Sequence, residues 1–204
     1  MIPLLLMLAD APATTAIDAE RAFAADAKTI GQWTAFRKWS TDDAVMFVPR
    51  PTNAHDFLKD RKDPAQAIDW WPTASYVSCD GKMAVNTGGW KRPDGSVGYF
   101  STVWQRQPDG GWKWIVDGGD ALQASRPRPV TPTVKRASCN GAPSGDSSVP
   151  SDTNLGAGLS ADKTLGWMWS VRPDGSRRFV VGLWDGPDTR ISTVIDDKIA
   201  APAK

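Results

Sequence analysis

Residues 98–117 read GYFSTVWQRQPDGGWKWIVD, and this stretch decides the fold. Two runs rich in aromatic and β-branched residues, Gly98–Gln105 and Trp112–Asp117, flank the turn Pro108-Asp109-Gly110. Proline fixes φ at the second position of a turn and glycine accepts a positive φ, so the turn has a physical basis. The stretch therefore predicts an antiparallel β-hairpin.

Similar strands precede this hairpin. We predict strands over Ile68–Cys79 and Met83–Lys91, and a second Pro-Asp-Gly turn at residues 93–95 connects them to the hairpin. Further upstream, Ala44–Val48 is a short apolar run that ends at Pro49, as expected for a buried strand. The order of these segments predicts a meander of long strands.

The N-terminal part has the periodicity of helices. Thr15 and Asp18 have the spacing of a capping box, which predicts that a helix begins here. An apolar stripe recurs at helical spacing from Phe23 onward, and we place Glu20 off this stripe. A second, shorter helix follows around Trp33. Helices followed by a strand meander predict an α+β fold.

The charge balance excludes several classes of partner. The 204 residues contain 24 Lys and Arg against 23 Asp and Glu, which gives a formal net charge of +1. A nucleic-acid binder needs a basic surface and a peripheral membrane protein needs a polybasic anchor. We therefore predict no nucleic-acid partner and no stable membrane insertion, and a small molecule or another protein is the expected partner.

Composition also limits the chemistry. The chain has 11 Trp but a single His, which argues against a metal site built from several imidazoles. It contains no Gly-rich phosphate loop, no paired CxxC motif and no Gly-x-Ser-x-Gly elbow. We predict no metal and no cofactor.

The N-terminus and the two cysteines bear on localisation. Residues 1–14 hold an apolar run followed by small residues, which is typical of the end of a secretory signal. We predict a signal-peptide remnant and a periplasmic or secreted protein; the alternative is an apolar strand docked on the core. In an oxidising compartment Cys79 and Cys139 could pair, and the alternative is two unrelated buried thiols.

Composition changes after Asp120. Residues 121–163 are rich in Pro, Ser and Gly and are predicted to be a linker. Residues 164–197 hold about three short strands with a third Pro-Asp-Gly turn at 173–175, and we predict a C-terminal β-meander. Because three short strands cannot bury enough surface alone, they should pack on residues 15–120 or on a second copy of the chain, as in a homodimer.

Short motifs in residues 15–120 resemble the nuclear transport factor 2-like superfamily. They are Ala19–Phe23 in the first helix, Thr41–Val45 before the first strand, and Thr102–Lys113 in the hairpin. The SnoaL-like branch, which includes a domain of unknown function, is the most similar. The resemblance implies a cystatin-like cone, in which N-terminal helices pack on a strongly curved antiparallel sheet and leave an apolar pocket open at one end.

The chemistry known in this superfamily transfers poorly. Its members include isomerases, dehydratases and polyketide cyclases as well as binding and assembly domains, so the fold alone selects no function. Ketosteroid isomerases of the superfamily place a base aspartate before a proline at the end of the first strand. The matching residue here is Val48, before Pro49, and it carries no proton. Those enzymes also use a tyrosine of the first helix, and this helix has none.

Asp117 and Asp120, at the end of the hairpin, are the predicted catalytic acids. The resemblance implies that the last strand contributes a polar group near the pocket mouth. Alternation along a strand should place Trp114 and Val116 on one face and Asp117 on the other. Enclosure by tryptophans would raise the pKa of Asp117, as an acid or base needs; the alternative is a carboxylate on the solvated side.

Aromatic residues are the predicted walls of the pocket, with plain core packing as the alternative. They are Trp70, Trp71, Tyr76, Trp90, Tyr99 and Trp104. Asp42, Asp43 and His55 are predicted to have structural roles in turns or caps rather than roles in catalysis.

Three functions stay open at this point. The first is binding of a small apolar or amphipathic ligand. The second is an isomerase, dehydratase or cyclase that acts by carboxylate acid–base chemistry. The third is a structural or oligomerisation domain. An open cavity with a desolvated carboxylate would favour the second, an open cavity without one the first, and a filled cavity the third.

Overall fold

The structure, a computed structural model, describes residues 13–141, 143, 154–187 and 190–201. The predicted signal remnant, residues 1–14, lies outside these ranges except for its last two residues. The described helices are α1 (Ala16–Thr29), α2 (Gln32–Trp39) and α3 (Ala54–Leu58). The described strands are β1 (Ser40–Phe47), β2 (Pro51–Asn53), β3 (Asp69–Val77), β4 (Met83–Lys91), β5 (Val97–Arg106), β6 (Trp112–Leu122), β7 (Thr133–Arg136), β8 (Leu155–Leu159), β9 (Leu165–Val171), β10 (Arg177–Gly186) and β11 (Arg190–Ile199).

The larger sheet has seven strands in the order β2-β1-β6-β5-β4-β3-β7. Strands β3 to β6 form the predicted antiparallel meander. Two pairs are parallel, β1 with β6 and β7 with β3, so the sheet is mixed rather than wholly antiparallel. The predicted α+β class, with helices on one face of a large sheet, is confirmed.

The helices cover one face of this sheet, and the capping box predicted for α1 is complete. Thr15 Oγ1 accepts a hydrogen bond from the Asp18 amide at 3.1 Å, and Asp18 Oδ2 accepts one from the Thr15 amide at 3.2 Å. α1 packs on β3 and β4, and α2 lies beside it. No helix among the described residues is long and apolar enough to cross a membrane.

A β-bulge on β6 changes which side chains face the helices. The register of β6 against β5 shifts between Trp114 and Val116, so Ile115 has no partner in the ladder. The alternation moves by one residue: Val116 packs on the face away from the helices, and Asp117 returns to the face of Trp114. The predicted assignment, Val116 with Trp114 and Asp117 opposite them, is wrong because of this bulge.

The segment predicted as a linker contains two short strands within its described residues. β7 lies beside β3, and β8 pairs with β9. Sequence patterns did not indicate them, because all four residues of β7 are exposed and β8 alternates with glycine. A disulfide joins Cys79, after β3, to Cys139, after β7, with Cα atoms 5.2 Å apart.

The C-terminal strands form a second, antiparallel sheet in the order β11-β10-β9-β8. This sheet packs on the face of the first sheet opposite the helices, which is one of the two arrangements expected for it. Buried side chains from both sheets meet in one apolar cluster, which includes Val85, Val103 and Val116 from the first sheet and Leu165, Trp169, Phe179, Val181 and Leu183 from the second.

Candidate active site

A cavity of about 340 Å³ lies between the helices and the first sheet. Its inner part is lined by Phe23 of α1, Phe36 of α2 and Trp70 of β3. Its mouth is at the ends of β4 and β6, where the exposed residues Arg92 and Ala121 line it. The volume lies in the range of small-molecule sites, roughly 300–1,000 Å³.

Aromatic rings pack edge to face around the inner part of the cavity. The ring centroid of Phe23 lies 4.8 Å from those of Phe36 and Trp70, and the Phe36 ring lies 5.9 Å from that of Trp114. Edge-to-face pairs of this kind hold one another in place. The inner wall is therefore a fixed surface that suits a flat apolar molecule.

Asp117 is one of two carboxylates that lie inside the cavity. The bulge at Ile115 turns its side chain toward the helices, where it lines the apolar hollow. Thr102 of β5 donates a hydrogen bond from Oγ1 to Asp117 Oδ1 at 2.7 Å. Burial raises the pKa of Asp117 to about 6, although the hydrogen bond from Thr102 acts to lower it. Oδ2 has no hydrogen bond from any described residue.

Glu20 of α1 is a second carboxylate at the inner end of the cavity, and it is only 1% exposed. Its Oε1 accepts a hydrogen bond from Trp70 Nε1 at 2.9 Å. Its Oε2 accepts hydrogen bonds from Trp104 Nε1 at 2.8 Å and from Asn86 Nδ2 at 3.3 Å. Burial raises the pKa of Glu20 to about 7 against these donors, and the charge of Asp117 raises it further.

Sequence reasoning missed Glu20 by placing it off the apolar stripe of α1. The buried residues Ala16, Glu20, Phe23 and Ala27 in fact lie on one helical face, with the spacing i, i+4, i+7, i+11. The tryptophans of the sequence could have indicated that Glu20 is buried. A buried indole N–H needs an acceptor, and Glu20 is the acidic residue on the face of α1 that packs against them.

The two carboxylates give the cavity the properties of a proton-transfer site. Burial raises the pKa of Asp117 to about 6 and that of Glu20 to about 7, so both carboxyls titrate close to neutral pH. Their negative charges repel each other, so the pair titrates as a coupled system. A group that titrates close to neutral pH can accept a proton and return it.

Asp120, the other predicted acid, lies at the rim. It pairs with Tyr99 across β6 and β5, and burial and nearby carboxylate charges raise the pKa of Tyr99. Arg177 of the second sheet interacts electrostatically with Asp120 and donates hydrogen bonds to the Pro49 carbonyl at 2.8 Å and the Gly119 carbonyl at 3.3 Å. Asp120 is thus compensated by a cation, in contrast to Asp117.

Three of the six predicted aromatic wall residues line the cavity: Trp70, Trp90 and Tyr99. Trp70 lies deep in it, where its indole is held by Glu20. Trp90 lies near the mouth, and its Nε1 donates to the Tyr99 carbonyl at 2.9 Å. Their contact with a ligand stays a prediction.

The other three aromatic residues do not line the cavity. Trp71 lies on the opposite face of β3 from its neighbour, as alternation requires, and its Nε1 donates to the Pro127 carbonyl at 2.8 Å. Tyr76 packs against the cluster between the two sheets. Trp104 is fully buried beyond the end of the cavity, where its indole supports Glu20.

The residues predicted to be structural have structural contacts. Thr41 Oγ1 donates to Asp43 Oδ1 at 2.7 Å, and the Asp42 carbonyl accepts a hydrogen bond from Asn53 Nδ2 at 2.8 Å. His55 Nε2 lies 2.9 Å from Ser40 Oγ, at the junction of α3 and β1. None of these groups lines the cavity.

Comparisons with known proteins find similarity at the level of structure. No protein-family model matches the sequence, and no curated protein is significantly similar to it. Among solved structures, a Parabacteroides distasonis protein proposed to be a ketosteroid isomerase is 19% identical, with a TM-score of 0.43 over 58% of this chain and 93% of its own.

Two further structures are similar to the same extent. A nuclear transport factor 2-like superfamily protein from Salmonella enterica is 13% identical, with a TM-score of 0.41 over 53% of this chain and 89% of its own. The CaMKII hub of S. rosetta is 17% identical, with a TM-score of 0.41 over 56% of this chain and all of its own.

The chain is similar to nuclear transport factor 2-like proteins. The similarity covers about half of the chain. It concerns the fold and does not extend to a reaction. The architecture rests on the helices and strands described above, and the chemistry rests on the cavity and its carboxylates.

Proposed function

We propose that the cavity binds a small apolar or amphipathic molecule and that Asp117 exchanges a proton with it. The reaction belongs to the class carried out by isomerases, dehydratases and cyclases that use carboxylate acid–base chemistry. The observation that carries the proposal is the carboxylate of Asp117 in an open cavity whose walls are largely aromatic.

The environment of Asp117 suits a general base. An efficient base is ionised in its resting state and has a pKa close to the working pH, and burial brings the pKa of Asp117 to about 6. Thr102 holds Oδ1 at 2.7 Å and so fixes the orientation of the carboxylate. Oδ2 remains for contact with a ligand.

Glu20 supports the site as a positioning residue. Its two oxygens hold the indoles of Trp70 and Trp104, and Trp70 forms part of the cavity wall. Its charge also acts on Asp117, because the two carboxylates interact electrostatically. We assign it no direct contact with the reacting atoms.

The test uses 2-tetralone, a flat ketone with exchangeable hydrogens next to its carbonyl. Binding is followed by quenching of tryptophan fluorescence, and proton transfer by mass spectrometry of deuterium uptake in D₂O. We expect the protein to accelerate exchange over buffer, and Asp117→Asn to reduce that acceleration by about 10²-fold or more. Asp42→Asn, a change of an exposed aspartate outside the cavity, is the matched control.

The outcomes separate the candidate functions. Binding with exchange that depends on Asp117 supports the proposal. Binding without accelerated exchange supports the second candidate, a ligand carrier, which the open cavity alone favours. Absence of binding would contradict both and favour the structural domain.

Export and self-association are further proposals. The disulfide between Cys79 and Cys139 supports an oxidising compartment such as the periplasm or the cell exterior. N-terminal sequencing of protein from its native host tests export, since a retained Met1 or Ile2 would argue against it. Native mass spectrometry tests the homodimer and detects any co-purified ligand in the same measurement.

A further inference from the structure

Arg92 is a cation at the mouth of the cavity. It follows directly after β4 and lines the cavity. Its guanidinium lies over the ring of Trp90, with Cζ 4.5 Å from the ring centroid. Among the described residues, no side chain forms an ion pair with the guanidinium and no acceptor takes a hydrogen bond from it. Its donors are therefore free for a ligand.

The ring beneath Arg92 is fixed. Trp90 Nε1 donates to the Tyr99 carbonyl at 2.9 Å, which ties the indole to the neighbouring strand. The ring covers Gly98, where an added Cβ would lie 2.1 Å from Trp90 Cζ2, so only glycine leaves room for it. A guanidinium stacked on a fixed ring keeps its N–H edge free for a planar acceptor.

The acidic groups near the mouth are already engaged. Asp94 interacts electrostatically with Arg92, but its Oδ1 accepts hydrogen bonds from the Ser96 amide at 2.9 Å and from Ser96 Oγ at 2.7 Å. Asp120 lies close to Arg177. The uncompensated carboxylate of Asp117 lies deeper. The mouth thus presents a guanidinium whose donors have no acceptor among the described residues, and the inner part presents the carboxylates of Asp117 and Glu20.

We propose that the ligand carries a carboxylate, which Arg92 binds at the mouth while the apolar body of the ligand enters toward Asp117. This inference rests on the proposed function and names the substrate class. Arginine and a carboxylate form parallel, charge-assisted hydrogen bonds. Like charges repel the ligand carboxylate from Asp117 and Glu20, so the opposite end of the ligand reaches the inner site.

The strand register gives the expected length of such a ligand. Trp90, under Arg92, pairs with Gly98, whereas Thr102 is the residue bonded to Asp117. Thr102 lies four positions after Gly98 on β5, a distance of about 13 Å at about 3.3 Å per residue. A two-ring aromatic acid spans this distance once the contacts at both ends are subtracted.

The chain contains a matched control for Arg92. Residues 92–96 and 172–176 both read RPDGS, and both are hairpin turns. The Arg92 amide donates to the Ser96 carbonyl at 2.8 Å, and the Arg172 amide donates to the Ser176 carbonyl at 2.9 Å. Arg172 lies in the turn between β9 and β10 and does not line the cavity. The two arginines therefore occupy the same position in the same type of turn but differ in access to the cavity.

The experiment compares 2-naphthylacetate with its neutral amide, 2-naphthylacetamide, by isothermal titration calorimetry. We expect the wild-type protein to bind the acid about tenfold more tightly than the amide, as for one charge-assisted contact at an open mouth. Arg92→Met should abolish the preference and leave the affinity for the amide unchanged, because methionine retains an apolar stem over Trp90. Arg172→Met should retain the preference.

Each outcome either supports or overturns the inference. Equal affinity of the wild-type protein for acid and amide, or a preference that survives in Arg92→Met, overturns the inference while the proposed binding function stands. If Arg172→Met loses the preference to the same extent, the preference depends only on the net charge of the protein, and the inference is also overturned. If neither compound binds, the proposed function fails together with the inference. Circular dichroism of both variants verifies that they are folded.

Discussion

The two faces of the first sheet are packed in different ways. The outer face meets the second sheet in an apolar cluster, and the gap found there has a volume of about 20 Å³. The inner face meets the helices around a cavity of about 340 Å³ that holds Glu20 and Asp117. One face is filled by apolar side chains, whereas the other keeps a hollow with one buried acid, Glu20, and one partly buried acid, Asp117.

The bulge on β6 accounts for much of this difference. Without it, regular alternation would place Val116 on the inner face and Asp117 on the outer face. Val116, which would otherwise fill the cavity, instead packs against the second sheet. The one extra residue, Ile115, thus places Val116 in the packed outer face and Asp117 in the cavity of the inner face.

The largest expected effect concerns the disulfide on the outer side. Cys79 and Cys139 are 60 residues apart in sequence, and their bond restricts the unfolded chain. We expect the double variant Cys79→Ala/Cys139→Ala to lose about 4 kcal/mol of unfolding free energy, measured by urea denaturation. Binding of 2-tetralone to the folded variant should persist, because the disulfide does not line the cavity. A loss below about 1 kcal/mol would contradict the loop-closure account.

A smaller effect compares one aliphatic side chain from each face. Leu183 is fully buried in the cluster between the sheets, whereas Ile68 lines the cavity. We expect Leu183→Ala to cost about 3 kcal/mol and Ile68→Ala about 1 kcal/mol, since a side chain beside a hollow has fewer contacts to lose. Urea denaturation measures both. Equal losses would mean that the inner face is as tightly packed as the outer one.

A further effect is a dependence of stability on pH. Asp117 binds its proton more tightly when folded, because burial raises its pKa from 3.8 to about 6. Its contribution to stability is complete below the unfolded pKa and is lost as the pH rises through the folded pKa. Asp117→Asn should therefore match the wild-type protein near pH 4 and exceed its unfolding free energy by about 2 kcal/mol at pH 8.

The control for this pH comparison is Asp42→Asn, which changes an exposed aspartate. Its stability should follow that of the wild-type protein at both pH values. A variant Asp117→Asn that is no more stable than the wild-type protein at pH 8 would show that the carboxylate is well solvated.

Much of the fold was predictable because its signals are local. The Pro-Asp-Gly turns and the aromatic strands define the meander, and β4 has the predicted bounds, Met83–Lys91. The capping box at Thr15 located the start of α1. β7 was missed because its four residues are exposed and it is held by pairing with β3, a distant partner that no local pattern reveals.

The candidate site was predictable only in part. Asp117 was selected, but the predicted face was wrong, because a bulge depends on the register of two strands and not on composition. Glu20 was missed because an acidic residue was assumed to face solvent. It is buried because two indole N–H groups need its oxygens as acceptors. Such pairings become visible only when helix and sheet are assembled.

A carboxyl titration by NMR tests the central claim most directly. The protein is labelled with ¹³C at the aspartate side-chain carboxyls and compared with Asp117→Asn. We predict one resonance with a midpoint near pH 6 that is missing from the variant, because partial burial in the cavity raises the pKa of Asp117. If every resonance lost on substitution titrates near pH 4, as a solvated aspartate does, Asp117 lies in water and the site proposed here does not exist.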